Sequence, residues 1–355
     1  MAVSFNTSGR IDSFEFVICS SKNLGDKIGN LEGVVGGTLS FGYYTDLQVS
    51  GQLKVVNVSP ELLTSENYIQ IYYCCTIDGQ EHKRLLGTFM YTAALRYENG
   101  IYKGTLNLRS LLARYIDDVT SKKWTLKQGE TVQEMYKHVF QYHGGFPQIT
   151  GVKNAKLTKT YVFDAGVSPM KILQYIADFA GGEIVVDENG RTVLQKYNTP
   201  GVKAKNITHT IKADANSVIL PGVEMSNTLK EVPNKVVCVF NKTEDDYTFT
   251  YVGSAVLDES DPHSKQNIDR YITKFYALNN CKKPYQKTLE DMAVKYLKKL
   301  NHNYTYYEFD CYFQPIHIGE VIYLEYDNIK VKGLITDIDM DLALGGKMHV
   351  KIRKV

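Results

Sequence analysis

The chain lacks the features that mark export, membrane insertion or a nucleic-acid-binding arm. Nowhere in its 355 residues do the roughly 18 consecutive apolar residues needed to cross a bilayer occur. The opening stretch MAVSFNTSGRIDSFEF has no basic segment leading into a long apolar one, so a secretory leader is disfavoured too. No run of like charge reaches five residues, and 41 Lys plus Arg nearly balance 39 Asp plus Glu. Neither a polybasic arm nor a polyacidic tail is encoded, and electrostatic attraction to DNA is not a primary role.

Cysteine is sparse and unpaired in spacing. Cys19, Cys74, Cys75, Cys238, Cys281 and Cys311 are scattered through a chain too large to need staples. They are expected to be reduced, mostly buried thiols. Cys74 and Cys75 are neighbours in a strand pattern and so point to opposite faces, unable to bridge easily or share a metal. His317 lies near Cys311 and His82 near Cys74 and Cys75, but no Cys-x-x-Cys or His-Glu-x-x-His pattern gathers four ligands. The chain also has no Gly-x-Ser-x-Gly elbow, phosphate-binding loop or dinucleotide glycine fingerprint. No catalytic, cofactor-binding or metal-binding residue is assigned.

What is present is core-forming material for several domains. The length exceeds a single core, so two to four domains are expected, and 43% hydrophobic content lets each bury one. Residues 1–111 read as β: alternation at 14–19, 38–43, 53–58, 68–75, 85–91 and 101–108, broken by Gly and Asn, suggests a sandwich or barrel.

From about 112 to 205 the period becomes helical. Thr131 and Glu134 form a capping box, with Val132, Met135, Tyr136, Val139 and Phe140 on one face and Gly144 and Gly145 as the stop. A second helix begins at the cap Ser168 with Pro169 first, carries Ile172, Leu173, Ile176, Ala177 and Ala180 at helical spacing, and stops at Gly181 and Gly182. A hairpin follows, strands 183–186 and 192–197 around the turn Asp187, Glu188, Asn189 and Gly190. Together these form an α+β module.

Strand character returns near Val218 and holds through 234–240 and 248–256. A third helix, 286–300, turns Leu289, Met292, Ala293, Tyr296 and Leu300 inward and Lys287, Lys295, Lys298 and Lys299 outward. The segment 319–355 is all strand pattern with a Gly345-Gly346 turn.

Three features invite chemistry, and each has a simpler structural reading. Thr125, Leu126, Gly129, Glu130 and Thr131 resemble the start of a LysM peptidoglycan-binding module whose second half is missing; a strand entering a capped helix explains them. Asp337, Asp339 and Asp341 share one strand face and could in principle hold calcium. They lack the EF-hand glycine and distal glutamate, and a solvated outer face, with Ile338 and Met340 inside, is the preferred reading. Tyrosines such as Tyr43-Tyr44, Tyr72-Tyr73 and Tyr304, Tyr306, Tyr307 could stack on sugars, whereas half-buried strands and subunit contacts account for them more simply. Glycoside hydrolysis needs only two carboxylates placed by the fold. A cell-wall hydrolase or glycan-binding tail component therefore stays open as the alternative.

The order of motifs resembles the hub proteins of bacteriophage tail tips and baseplates. The capped helix, Gly-Gly and Asp-x-x-Gly hairpin of 168–197 match that family's small α/β domain, and Ser50, Gly51, Leu53, Val55 and Val58 its first barrel. Then come Glu231, Pro233, Asn234, Lys235 and Val236; Asp261, Pro262 and Ser264; the helix containing Ala293; Ile318, Gly319, Glu320 and Val321; and 335–340, Gly346 and Val350.

The resemblance implies a mainly β fold with α+β insertions: two tube-like β barrels plus a small mixed α/β domain. The barrels would be 1–111 and, assembled from two segments, 206–257 with 301–355. The α+β domain would be 112–205, with 258–300 a helical insertion packed on it. The chain shows no internal repeat of its own. The resemblance further implies a nonenzymatic homotrimer that joins a sixfold tail tube to threefold distal parts and lines the DNA-ejection channel. Expected partners are the distal tail protein and tail tube, the tape-measure protein, and spike, fibre or receptor-binding proteins, with DNA only in transit. The expected location is the virion tail, assembled in the host cytoplasm. Val355 directly follows the last strand pattern, so any cell-wall enzyme is expected on a separate chain.

Overall fold

A computed structural model describes residues 10–77, 79–213, 218–227, 232–244, 247–278, 281, 283–300 and 305–355. Glu231, Tyr304 and the side chain of Lys299, all used in the sequence reading, lie outside the described residues. The chain divides into two compact units, Met1–Gly222 with Phe309–Lys351 and Val223–Glu308 with Ile352–Val355.

The first seven strands are β1 (Ile11–Ser20), β2 (Lys27–Asn30), β3 (Val34–Gly42), β4 (Val49–Val56), β5 (Asn67–Ile77), β6 (Gln80–Glu98) and β7 (Ile101–Ser110). Their alternation is that of half-buried strands: Leu53 and Val55 are buried while Lys54 and Val56 are exposed. The α+β module follows as α1 (Ala113–Asp117), β8 (Trp124–Leu126), α2 (Val132–His143), β9 (Pro147–Thr150), β10 (Tyr161–Phe163), α3 (Pro169–Ala180), β11 (Gly182–Val186) and β12 (Thr192–Lys196). Then come α4 (Pro200–Lys203), β13 (His209–Lys212), β14 (Ile219–Asn227), β15 (Lys235–Glu244), β16 (Tyr247–Val256), α5 (Lys265–Ile268), β17 (Thr273–Leu278) and α6 (Tyr285–Leu300). The last strands are β18 (Thr305–Tyr312), β19 (Val321–Tyr326), β20 (Ile329–Asp341) and β21 (Lys347–Lys354).

The class is mainly β, as expected, but the sheets are not closed barrels. One 13-stranded sheet runs β14-β18-β21-β20-β3-β4-β7-β6-β5-β1-β2, with β19 on β20 and β13 on β19. A barrel closes only when its two end strands pair. Here β3 gives one edge to β4 and the other to β20, which joins the two expected barrels into one sheet. β15, β16 and β17 form a separate three-stranded sheet. Ile18, Leu39, Leu53, Ile69, Leu106 and Leu334 are fully buried in the first unit.

The α+β module follows its sequence closely. Thr131 and Glu134 make both halves of the capping box, and Gly181 ends α3 in the left-handed conformation, φ 66°. Ser168 occupies the N-cap position and Pro169 opens the helix, although the Ser168 hydroxyl makes no cap hydrogen bond. Ile172, Leu173 and Ile176 are sealed among Met135, Tyr136, Val139, Ile184 and Leu194, so α3 packs on α2 and on the hairpin. β9 adds parallel to β12.

In the second unit α6 lays Leu289, Ala293 and Leu297 on Val236 and Cys238. The helix of 258–300 therefore covers β15–β17. The reason is complementary pattern: Val236, Cys238 and Phe240 alternate on one face of β15 and need a cover, and the apolar stripe of α6 supplies it.

Candidate functional site

The feature of the first unit that gathers the most chemistry is a cavity of about 360 Å³. It lies where β3, β6, the β11–β12 hairpin, α4 and the loop before β19 come together. Its apolar wall includes Phe41, Leu86, Phe89, Phe313, Ile316 and Ile338, and its polar rim carries two clusters.

The first cluster is centred on Glu183 of β11. Tyr43, just past β3, donates its hydroxyl to Glu183 Oε2 at 2.8 Å. Lys203 at the end of α4 donates to the Tyr43 oxygen at 3.0 Å and lies 3.7 Å from Glu183 Oε1. Gln195 donates to that same oxygen at 3.2 Å. Burial, reinforced by the Glu183 charge, pushes the Tyr43 phenol up, while burial pulls Lys203 down against the attraction of Glu183. The result is a locked ion pair whose phenol stays protonated.

Gln48 completes the contact. Its Nε2 donates to Ile184 O at 2.7 Å, and its Oε1 accepts from the Val186 N–H at 2.9 Å. One side chain thus satisfies the edge of β11 that β12 leaves open.

The second cluster is centred on His317. Its Nε2 is 2.6 Å from Glu188 Oε1 in the hairpin turn, and its Nδ1 is 3.3 Å from Glu320 Oε1. Arg84 Nη2 of β6 approaches Nε2 at 2.6 Å, and His209 Nε2 stands 3.8 Å from Glu320 Oε2. Burial works to lower the His317 value, but the hydrogen bonds its ring donates to Glu188 and Glu320 overcome it and lift it to about 9. The same His317 bond holds Glu188 down at about 2. A carboxylate this acidic stays ionised near neutrality and cannot serve as a general acid.

Of the residues singled out from sequence for chemistry, Tyr43 and His317 reach this rim and the others fall elsewhere. Asp339 and Asp341 lie on the outer face of β20 opposite Ser40 and Thr38, alternating with buried Ile338 and Met340. Same-face neighbours on a strand are separated by roughly 7 Å, and among the described residues no three His, Cys, Asp or Glu side chains are grouped to hold a metal. Cys74 and Cys75 are both buried and unbridged, and burial raises both thiols. His82 sits opposite Cys75 across the β5–β6 ladder. Tyr72 and Tyr73 are tied to Gln70 and Asp12. Gly129 and Thr131 are held in the turn and cap that open α2.

Arg84 and Lys203 carried no sequence signal, whereas Glu183 and Glu188 belong to the 183–197 hairpin, Glu320 to the Ile318–Val321 motif, and Tyr43 and His317 were noted for other chemistry; nothing local showed that these residues converge. Other motif residues prove architectural: Asn234 donates to His263 O and Arg270 O and accepts from the Ile272 N–H, and Ser264 caps α5.

No known family model matches the chain, and no curated protein matches it in sequence. Solved structures do. The tail protein from Neisseria meningitidis MC58 superposes with a TM-score of 0.66 at 12% identity, covering 96% of this chain and 97% of the other. The 43 kDa tail protein of prophage MuSo2 from Shewanella oneidensis gives 0.66 at 11% identity, covering 96% and 98%. Prophage tail protein gp18 from Listeria monocytogenes EGD-e gives 0.55 at 10%, covering 96% and 94%. The chain has the fold of phage tail proteins. At that level the resemblance drawn from motif order holds, and the shared fold runs nearly end to end in both partners of each comparison. Within this tail-protein fold the rim clusters tie the α+β module to the large sheet.

Proposed function

We propose that this chain is a structural component of a phage tail, the hub of its tip or baseplate, working as a homotrimer without catalysis. The observation that carries the reading is the near full-length superposition on two tail proteins, each at a TM-score of 0.66. A trimer that presents two strand-rich surfaces per subunit offers six edges to a sixfold tube and three faces to a spike or fibre. The mechanism is geometric: it adapts one symmetry to another around a channel that passes DNA or the tape-measure protein. Near-neutral charge suits a lumen through which a polyanion must slide.

The partners in this reading are the distal tail protein, the tail tube, the tape-measure protein and distal fibres or receptor-binding proteins, in a virion tail built in the host cytoplasm. Among the described residues no helix is long and apolar enough to cross a membrane. The cavity favours architecture over hydrolysis, since the Glu183 and Glu188 carboxylates are both engaged by cations of the same rim.

Imaging the native particle with the chain labelled tests this. A threefold ring at the distal end of the tail is expected; a label on the capsid, or a lone copy per tail, overturns it. Incubation of the purified chain with peptidoglycan addresses the hydrolase alternative, and cleavage lost on changing one carboxylate would establish that alternative instead.

A further inference from the structure

The hairpin turn that carries Glu188 is seated on the large sheet. Thr88 donates its hydroxyl to Glu188 O at 3.0 Å, and Gly190, at φ 80°, sits so close that an added Cβ would lie 2.6 Å from Leu111 Cδ1. Across the seat stands His317, and its Nε2 has two neighbours at the same 2.6 Å, Glu188 Oε1 and Arg84 Nη2. One nitrogen cannot serve both. The imidazolium donates from Nε2 to Glu188 and from Nδ1 to Glu320; the neutral ring that keeps its proton on Nδ1 for Glu320 accepts from Arg84 at Nε2, and Glu188 loses its donor.

The charges around the ring favour the first state at neutrality. The rim brings Arg84 from β6, Glu188 and Asp187 from the turn, Glu320 from the loop before β19, His209 from β13 and Lys203 from α4. Lys203 is taken up by Glu183, so an imidazolium with Arg84 offsets two of the three remaining carboxylates, Glu188, Glu320 and Asp187, whereas a neutral ring would leave all three facing one guanidinium.

We propose that His317 is a proton-dependent latch that clamps the tip of the β11–β12 hairpin to the sheet and releases it in alkaline solution, uncovering the apolar wall of the cavity. The group is raised from 6.5 to about 9. A raised group stabilises fully below its unfolded value and loses that contribution as pH climbs through the folded value, so release falls between about pH 6.5 and 9. Every pH unit between the unfolded and folded values changes the clamping equilibrium about tenfold, and solvent at a side chain 40% exposed trims the total.

The test uses the full chain. NMR titration of the histidine rings should place His317 near 9, and amide exchange in 185–194, corrected for its intrinsic pH dependence, should accelerate at least about tenfold between pH 7 and 10. His317→Gln should exchange fast in that hairpin already at pH 7 and show no further pH response. A His317 titration near 6.5, a hairpin equally protected at pH 7 and 10, or a His317→Gln chain as protected as the parent would each overturn the latch. Should the variant not fold, the first two measurements on the parent chain still decide.

Discussion

Ser40 and Asp339 stand opposite each other in the antiparallel pairing of β3 with β20. Through this ladder an early strand and a late one share a sheet. Their own side chains lie away from the core, whereas Leu39, Ile338 and Met340 on either side of them are buried.

The seam therefore has a sensitive face and a tolerant one. Ile338 is 2% exposed, so Ile338→Asp places a carboxylate without a partner in the core, at a cost of several kcal/mol, on the order of the whole stability of a domain. Asp339→Lys on the outer face is expected to change stability by no more than about 0.5 kcal/mol. Thermal melting of both variants checks the contrast; similar losses would mean the strand faces are wrongly assigned.

Ile176 is fully buried between α2 and the hairpin. Ile176→Asp should melt the α+β module at a cost of several kcal/mol. Amide exchange should show protection lost in α2, α3 and β11–β12 together, since they share one core. Unchanged melting with complete, infectious tails would show that the helix does not bury this face.

Gly190 and Gly166 both adopt positive φ, 80° and 86°, but only Gly190 is crowded, since nothing lies within 4 Å of a Cβ on Gly166. Gly166→Ala should cost about 1 kcal/mol, the strain of a left-handed residue that carries a Cβ. Gly190→Ala adds a clash with Leu111 and should cost about 2 to 4 kcal/mol. Equal midpoints in denaturant would place the turn off the sheet.

Glu188 supplies an acid-side prediction. Its value is lowered from 4.5 to about 2, chiefly by the His317 bond. A lowered carboxylate stabilises above its unfolded value and loses that contribution as pH falls through the folded one. With its side chain 38% exposed, solvent screening limits the effect to about 1 kcal/mol. The melting difference between the parent and Glu188→Gln should shrink from pH 6 to 2; a difference constant with pH would remove the pairing as its cause.

The sequence by itself determined what depends on near neighbours. The Thr131–Glu134 box, the left-handed stop at Gly181, the hairpin around 187–190 and the inward stripe of α6 each rest on residues within a few positions of one another, because helix bonds, caps and turns close over that range. Alternation likewise set the buried faces of β4 and β20. Tertiary structure alone decided which strand edges meet. Two strands with the same alternation can pair with many partners, so nothing local told β3 to take β20, β9 to lie parallel to β12, or α6 to cover β15–β17. The rim of the cavity is of the same kind: Tyr43, Arg84, Glu183, Glu188, Lys203 and His317 find their partners only where distant segments converge, and burial at Tyr43, Arg84 and Lys203 and hydrogen bonding between Glu188 and His317, not any motif, shift their protons.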